Sequence, residues 1–414
     1  MTMAIERLPP ERRLRLCVVG DLEGVHTQSW LRYFVQRGHE VHGVSYYTPA
    51  RPPEGVLVHT LRPALPRKGG RPQPGARPGV LSWTGARLAH LLPPSLQRVA
   101  NLLRYRRAGI RRIVEAIAPD VLHAHYLVEH GLYATAANYH PYVVSAWGSD
   151  VLVEAARSPI NRALARFVLR RTDLATANNR YMAREMVLKL GIDRARVQHI
   201  VLGVERDFID RGPPSVNARP PESKRTPTLI STRSLDTPLY NVDVIVRAMA
   251  RVRESLPAAR LVVAGDGRLR GRLETLAAEL GLSDAVRFTG ALAQPEFRAA
   301  LSEAEVFVSV PSSDGTSVAL LQAQAAGCFP IISDLPSQQE LVEHGVTGLR
   351  VPVRDEAALA EAICAALEDG SLRRDAAGRN RAFVEEYGVQ ETNMARMEAW
   401  YYRLAGRAGE ADDA

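Results

Sequence analysis

The chain has 414 residues, of which 46% are hydrophobic and 24% charged, with three cysteines and a formal net charge of +8. That makes it globular and long enough for two domains with separate cores, and it excludes a disulfide scaffold, since Cys17, Cys328 and Cys364 sit in apolar surroundings without redox or metal-ligand spacing. No apolar run approaches the roughly 18 residues that span a bilayer, and "MTMAIERLPPERR" lacks the apolar centre of a signal peptide, so a cytoplasmic protein is expected.

In chain order, "RLRLCVVG", "HEVHGVSY", "VLVHTL", "DVLHAHY", "YVVSAW" and "LATAN" read as strands, with helical patterns between most of them. Gly20, Asp21 and Gly24 follow the first strand, where backbone can approach a phosphate or an acceptor. A plain βα turn reads the same way, and no G-x-G-x-x-G fingerprint for a nicotinamide cofactor is present. His26 and Thr27 open the first helix. Between Glu54 and Glu115 there is no acidic residue but twelve basic ones, from Arg62 to Arg112. Trp, Leu and Val lie among those arginines, so residues 62–112 suit an anionic membrane surface; a solvated Pro-rich insertion with a basic helix is the alternative. Nucleic-acid binding is not expected, because the stretch is not interleaved with several aromatics. His123 and His125 alternate along one strand face near its carboxyl end, as candidates for ligand contact or as core histidines. Asp150, in "WGSD", either orients an acceptor or caps a helix.

The proline-rich segment 211–227, "RGPPSVNARPPESKRTP", reads as a linker. Beyond it "TLISTR", "ARLVVAG", "VRFTG", "VFVSV" and "FPIIS" form a second strand series, each followed by a helical pattern. Strand and helix alternate throughout with no fixed-period repeat, which argues for parallel sheets and excludes a solenoid. Within "VFVSVPSSDGTSVALLQAQAAGCFPIISD", Phe307, Val308 and Val310 read as a strand, 311–316 as a loop, Ser317 as an N-cap and 318–326 as a helix. A glycine turn leading into a helix N-terminus suits an anion such as a diphosphate, and is also how an ordinary βα turn reads.

These blocks resemble family 4 of the glycosyltransferases. "PSSDGTSVALLQAQAAGCFPIIS", "QQELVEHGVTGLRVP" and "LVVAGDGRLRGRLETLAAELGLSDAVRFTG" are similar to that family's donor-side segments in order and spacing, most closely over about 228–355. "VVGDLEGVHTQSWLRYFVQRGHEVHGVS", "DVLHAHYLVEHG" and "YVVSAWGSDV" are similar to its less specific acceptor-side features. The resemblance implies an α/β GT-B fold: two Rossmann-like, doubly wound parallel-sheet domains facing each other across a cleft. It also implies an acceptor-binding domain over 1–210, a donor-binding domain over 228–390, and terminal helices (391–409) that cross back onto the first domain.

It further implies roles. The family's Glu-x7-Glu pair falls on Asp314, against the donor sugar, and Gln322, toward the ribose. Gly315, Thr316 and Ser317 would offer amides to the diphosphate. Arg233 matches the family's diphosphate-binding arginine, while Tyr240 and Asn241 stand where its Lys-Gly is expected, so that either another cation serves, with Arg268 after the Gly265 to Gly267 turn as one candidate, or the site is weak. Gly20 would approach the donor, and His125 the donor sugar and acceptor; His26 and Asp150 would belong to the acceptor side. The expected catalytic set is His125, Asp314 and Arg233. No metal and no cofactor is expected beyond a nucleoside-diphosphate sugar as co-substrate, because no Asp-x-Asp triplet or metal-ligand spacing appears.

The activity this implies is retaining, hexosyl-type transfer from a nucleotide sugar to a glycan or lipid-linked acceptor, a cell-envelope or extracellular-polysaccharide precursor. Transfer to a small soluble acceptor and a transferase-like scaffold with weakened catalysis are the alternatives. The expected location is cytoplasmic, with peripheral attachment to the inner membrane face.

Overall fold

The structure, a computed structural model, describes residues 5–61, 93–211 and 226–407. Residues 62–92 of the basic segment and 212–225 of the linker lie outside the described residues. The chain divides into two compact units, one of Met3–Leu202 with Glu391–Ala414 and one built mainly of Gly203–Gln390.

The N-terminal unit holds a seven-stranded parallel sheet in the order β3-β2-β1-β4-β5-β6-β7. Its strands are β1 (Arg15–Val19), β2 (Glu40–Ser45), β3 (Leu57–Thr60), β4 (Val121–His125), β5 (Tyr142–Ala146), β6 (Leu174–Ala177) and β7 (Val197–His199). Runs such as "CVV" and "YVV" are apolar on both faces, as a parallel strand covered by helices on both sides requires, and β4, β5 and β6 are buried throughout. The helices used below are α1 (Val25–Arg37), α2 (Pro94–Arg107), α3 (Ile110–Ile117) and α4 (Pro159–Arg171). Helix α1 ends at Gly38, whose φ of +92° only glycine adopts without strain.

The C-terminal unit holds a six-stranded parallel sheet, β10-β9-β8-β11-β12-β13. These strands are β8 (Thr228–Ser231), β9 (Arg260–Val263), β10 (Val286–Phe288), β11 (Val306–Ser309), β12 (Phe329–Ser333) and β13 (Leu349–Val351). Helices α5 (Val242–Ser255), α6 (Arg270–Glu279), α7 (Val318–Ala325), α8 (Glu356–Glu368) and α9 (Gly370–Tyr387) cover it. The final helix, α10 (Gln390–Leu404), lies from Glu391 onward in the N-terminal unit. There the Tyr401 hydroxyl meets His123 Nδ1 at 2.5 Å, and the buried Glu398 accepts from Arg37 Nε at 3.1 Å.

Both sheets reverse their strand order once, between β1 and β4 and between β8 and β11. Loops leaving the carboxyl ends of strands at such a reversal diverge and leave a crevice, the usual ligand position in open α/β sheets. Among the described residues, no helix is long and apolar enough to cross a membrane.

Candidate active site

In the C-terminal unit the two loops at the reversal converge on Arg233, two residues past β8. One terminal nitrogen, Nη1, donates to Ser317 Oγ at 3.0 Å and the other pairs with Asp314 Oδ2. The Tyr240 ring lies 4.4 Å below the guanidinium carbon. Tyr240 therefore touches the predicted arginine, although it stands at the family's lysine position. Burial pushes the guanidinium down from its ordinary value, but a carboxylate in contact keeps it charged. Its Nε is buried without a partner.

Ser317 caps α7 as its residue type dictates, its Oγ accepting from Leu320 N at 3.3 Å. One Asp314 oxygen accepts from the Gly315 amide at 2.9 Å. Each carboxylate oxygen keeps a second lone pair, so Asp314 can still accept from a sugar hydroxyl. Two residues to which the sequence assigns no role hold this loop: Ser337 Oγ donates to Asp314 O at 2.7 Å, and Gln338 Nε2 to Gly315 O at 2.6 Å. Both side chains are buried. Their partners are backbone carbonyls more than 20 residues away, so no local pattern announces these two contacts. Gln322 is half-buried on α7.

Gly265 and Gly267 have a packing explanation. A Cβ at Gly265 would lie 2.1 Å from the Arg233 carbonyl oxygen, and one at Gly267 2.3 Å from Leu235 C, where φ is +151°. The two glycines let the turn press against the chain that carries Arg233. Arg268 is exposed and bonds Asp236, with Nη2 on its carbonyl at 3.0 Å. Beside Asn241 stands Arg354, which no sequence feature singled out: its Nη1 donates to Asn241 Oδ1 at 2.9 Å, and it also pairs with Asp243.

The N-terminal unit contains a cavity of about 480 Å³ whose walls include Gly20, His125, Tyr126 and Trp147. This is within the size range of small-ligand sites. His125 is 1% exposed; its Nδ1 lies 3.2 Å from Thr27 Oγ1, its Nε2 has no partner, and Trp30 and Trp147 flank the ring. Burial holds its pKa well below the ordinary imidazole value, so it is neutral near pH 7. The expected alternation with His123 holds, but the two differ in environment. His123 is bonded on both sides, to Tyr401 and to Ser145 Oγ at 2.8 Å, and serves the core. His26 is exposed, its ring edge-on to Trp147.

Asp150 departs from the acceptor-binding expectation. It is fully buried, and its carboxylate accepts from the amides of Leu127, Trp147, Gly148 and Val151 at 2.7–3.1 Å. Burial raises its pKa and those amides offset part of the rise. Asp150 shapes the loop that carries Trp147 and does not line the cavity. Among the described residues, no three His, Cys, Asp or Glu side chains gather into a set able to hold a metal ion.

A family model described as "Glycosyl transferases group 1" matches residues 217–383, and one described as "Glycosyl transferase 4-like" matches 90–179. A GDP-mannose-dependent alpha-(1-6)-phosphatidylinositol monomannoside mannosyltransferase of Mycobacterium tuberculosis is 31% identical over 52% of this chain, which spans 60% of that relative's length. An N-acetyl-alpha-D-glucosaminyl L-malate synthase of Bacillus anthracis is 26% identical over 68% of this chain and 74% of its own. Among solved structures, a sucrose-phosphate synthase from Thermosynechococcus elongatus aligns over 95% of this chain and 99% of its own, with a TM-score of 0.72 at 19% identity. Anabaena HepE in complex with UDP and glucose aligns over 94% and 100%, with a TM-score of 0.65 at 16% identity. Those likenesses and the two parallel sheets define the fold as GT-B.

Proposed function

The chain belongs to family 4 of the glycosyltransferases, and on that premise we propose that it is a retaining enzyme. It moves a hexosyl group from a nucleoside-diphosphate sugar to a hydroxyl of a cell-envelope or extracellular-polysaccharide precursor. One observation carries the reading: Arg233, Asp314 and Ser317 meet at the N-terminus of α7, where a guanidinium and helix-end amides can share a diphosphate. The relatives' named reactions support it, and solved neighbours with bound UDP support a nucleotide donor.

In this reading Arg233 and the first amides of α7 take up the charge that grows on the departing diphosphate, a preorganised electrostatic role. Tyr240 fixes the guanidinium plane from below. Asp314 accepts from a donor-sugar hydroxyl, and Gln322 bonds the ribose as a neutral acceptor. His125, held neutral, offers Nε2 to a hydroxyl of donor or acceptor. With the acceptor on the face from which the phosphate leaves, a leaving phosphate oxygen takes the acceptor's proton and configuration is retained.

The described part of the basic segment supports attachment to an anionic membrane. On α2, Leu96 and Leu103 are exposed together with Arg106 and Arg107, whereas Arg98 is committed internally to Glu154 and Asn161. Apolar side chains beside arginines suit a headgroup layer.

The direct test is consumption of UDP-, GDP- or ADP-sugars by the purified chain with a glycan acceptor. Turnover that is lost in Arg233→Ala supports the proposal. Donor binding without hydrolysis or transfer under any acceptor would reduce the protein to a binding module. Sedimentation with anionic liposomes at low salt tests the membrane part, and failure to sediment removes it.

A further inference from the structure

The cavity of the N-terminal unit differs in sign from the chain around it. Against a net charge of +8, its described lining carries three carboxylates, Asp21, Glu23 and Glu129, and one guanidinium, Arg104. No lysine is among the described lining residues. His130 also lines it, and burial lowers the pKa of both His125 and His130, so neither supplies compensating charge near pH 7. Glu23 is engaged by the Ala50 amide at 2.6 Å, and Arg104 reaches Asn101 Oδ1 at 3.4 Å. A phosphate entering here would meet more negative than positive charge.

The polar atoms left over tell what would be welcome. Nε2 of His125 and Nδ1 of His130 are buried without hydrogen-bond partners. A neutral imidazole can present a donor or a bare nitrogen at such a position, and a hydroxyl satisfies either because it both donates and accepts. A phosphate dianion only accepts. One wall is aromatic: the Tyr46 and Tyr105 rings lie 5.1 Å apart and those of Tyr105 and Tyr133 stack at 4.5 Å. Such a wall offers apolar faces for the C–H side of a sugar ring. Tyr126 enters the lining on a backbone with φ of +77°, a conformation costly for a non-glycine residue and concentrated at functional sites.

We propose that the acceptor group admitted by this cavity is an uncharged, hydroxyl-rich ring, a neutral pyranoside or polyol, and that the phosphate of any lipid-linked acceptor stays outside it. This rests on the transferase reading above. Glu129 is then a specificity determinant, accepting from ring hydroxyls and repelling anionic ones.

The test is saturation-transfer NMR on the full chain with the methyl α-glycosides of glucose, mannose and N-acetylglucosamine and with their 6-phosphates, at low salt. At least one neutral glycoside is expected to bind about tenfold or more tightly than its phosphate. Glu129→Gln should narrow that gap and Glu129→Lys should close it, while Tyr105→Leu weakens the neutral ligand. Equal or tighter binding of the phosphates overturns the inference. So does absence of neutral-glycoside binding by protein that still gives a thermal shift with UDP-glucose or GDP-mannose. Absence of any nucleotide-sugar shift instead overturns the transferase reading, and the acceptor assignment with it.

Discussion

Arg233 is only 9% exposed, and its neighbours come from two loops about 80 residues apart in sequence. Lysine at this position would keep the charge but lose the fork that reaches Ser317 and Asp314 together. Arg233→Lys is therefore expected to leave the thermal midpoint close to wild type while lowering kcat by about 10²- to 10³-fold, the usual cost of one preorganised donor. Steady-state kinetics beside a melting curve separate the two effects. Gly265→Ala should do the reverse in kind, disturbing the fold first. Its methyl would collide with the Arg233 carbonyl, at a cost of about 1–3 kcal/mol read by urea unfolding.

His123 makes a sharper prediction because its chemistry is set by burial alone. Its pKa is pushed down from the ordinary imidazole value to about 3. The unfolded chain takes up that proton near pH 6.5 and the folded chain does not, so its contribution is fully present above about pH 6.5 and is lost as pH falls toward 3. Between pH 7.5 and 5 this one group should cost about 2 kcal/mol, seen as a falling urea midpoint, and His123→Gln should flatten the dependence.

Among elements, the strand, turn and helix around 306–333 are legible in the sequence to within a residue: Phe307 and Val308 fall in β11, Val310 lies just past its end at Ser309, Ser317 caps α7, which stops at Ala325 rather than at 326, and "FPIIS" is β12. Local periodicity and capping chemistry determine such units, and they need no distant partner to be read. The short strand β13 is not legible in the sequence, because three residues carry no period and its pairing with β12 supplies the order. Contacts of long sequence separation were equally invisible. Nothing near Arg37 or His39 points to Glu398, yet His39 Nε2 lies 2.5 Å from its carboxylate. Asp150 reads ambiguously for the same reason: the Leu127 amide that donates to its second carboxylate oxygen comes from another loop. For α10, Tyr401→Phe should leave a buried His123 nitrogen unpaired and cost about 1–3 kcal/mol, detectable as faster amide exchange in β4 and β5.

For the molecule as a whole, two units with separate sheets should report separately on their ligands. A nucleoside diphosphate at about 100 times its dissociation constant should stabilise the C-terminal unit by about 2.7 kcal/mol and leave exchange in β1 and β4 nearly unchanged. Uniform protection of both units would contradict donor binding at the Arg233 cradle alone.

The hydrogen-bond chain from Tyr401 through His123 and Ser145 to Thr176 joins helix α10 to three strands of the N-terminal sheet. Its outer member is made only after the ribosome has translated the entire C-terminal unit. At about 5–20 residues per second, close to 190 intervening residues impose a wait of about 10–40 s. Through that interval the nascent N-terminal sheet lacks the helix that buries Met394, Met397, Tyr401 and Tyr402 against Trp30 and Phe34, so its apolar seat stays open to water.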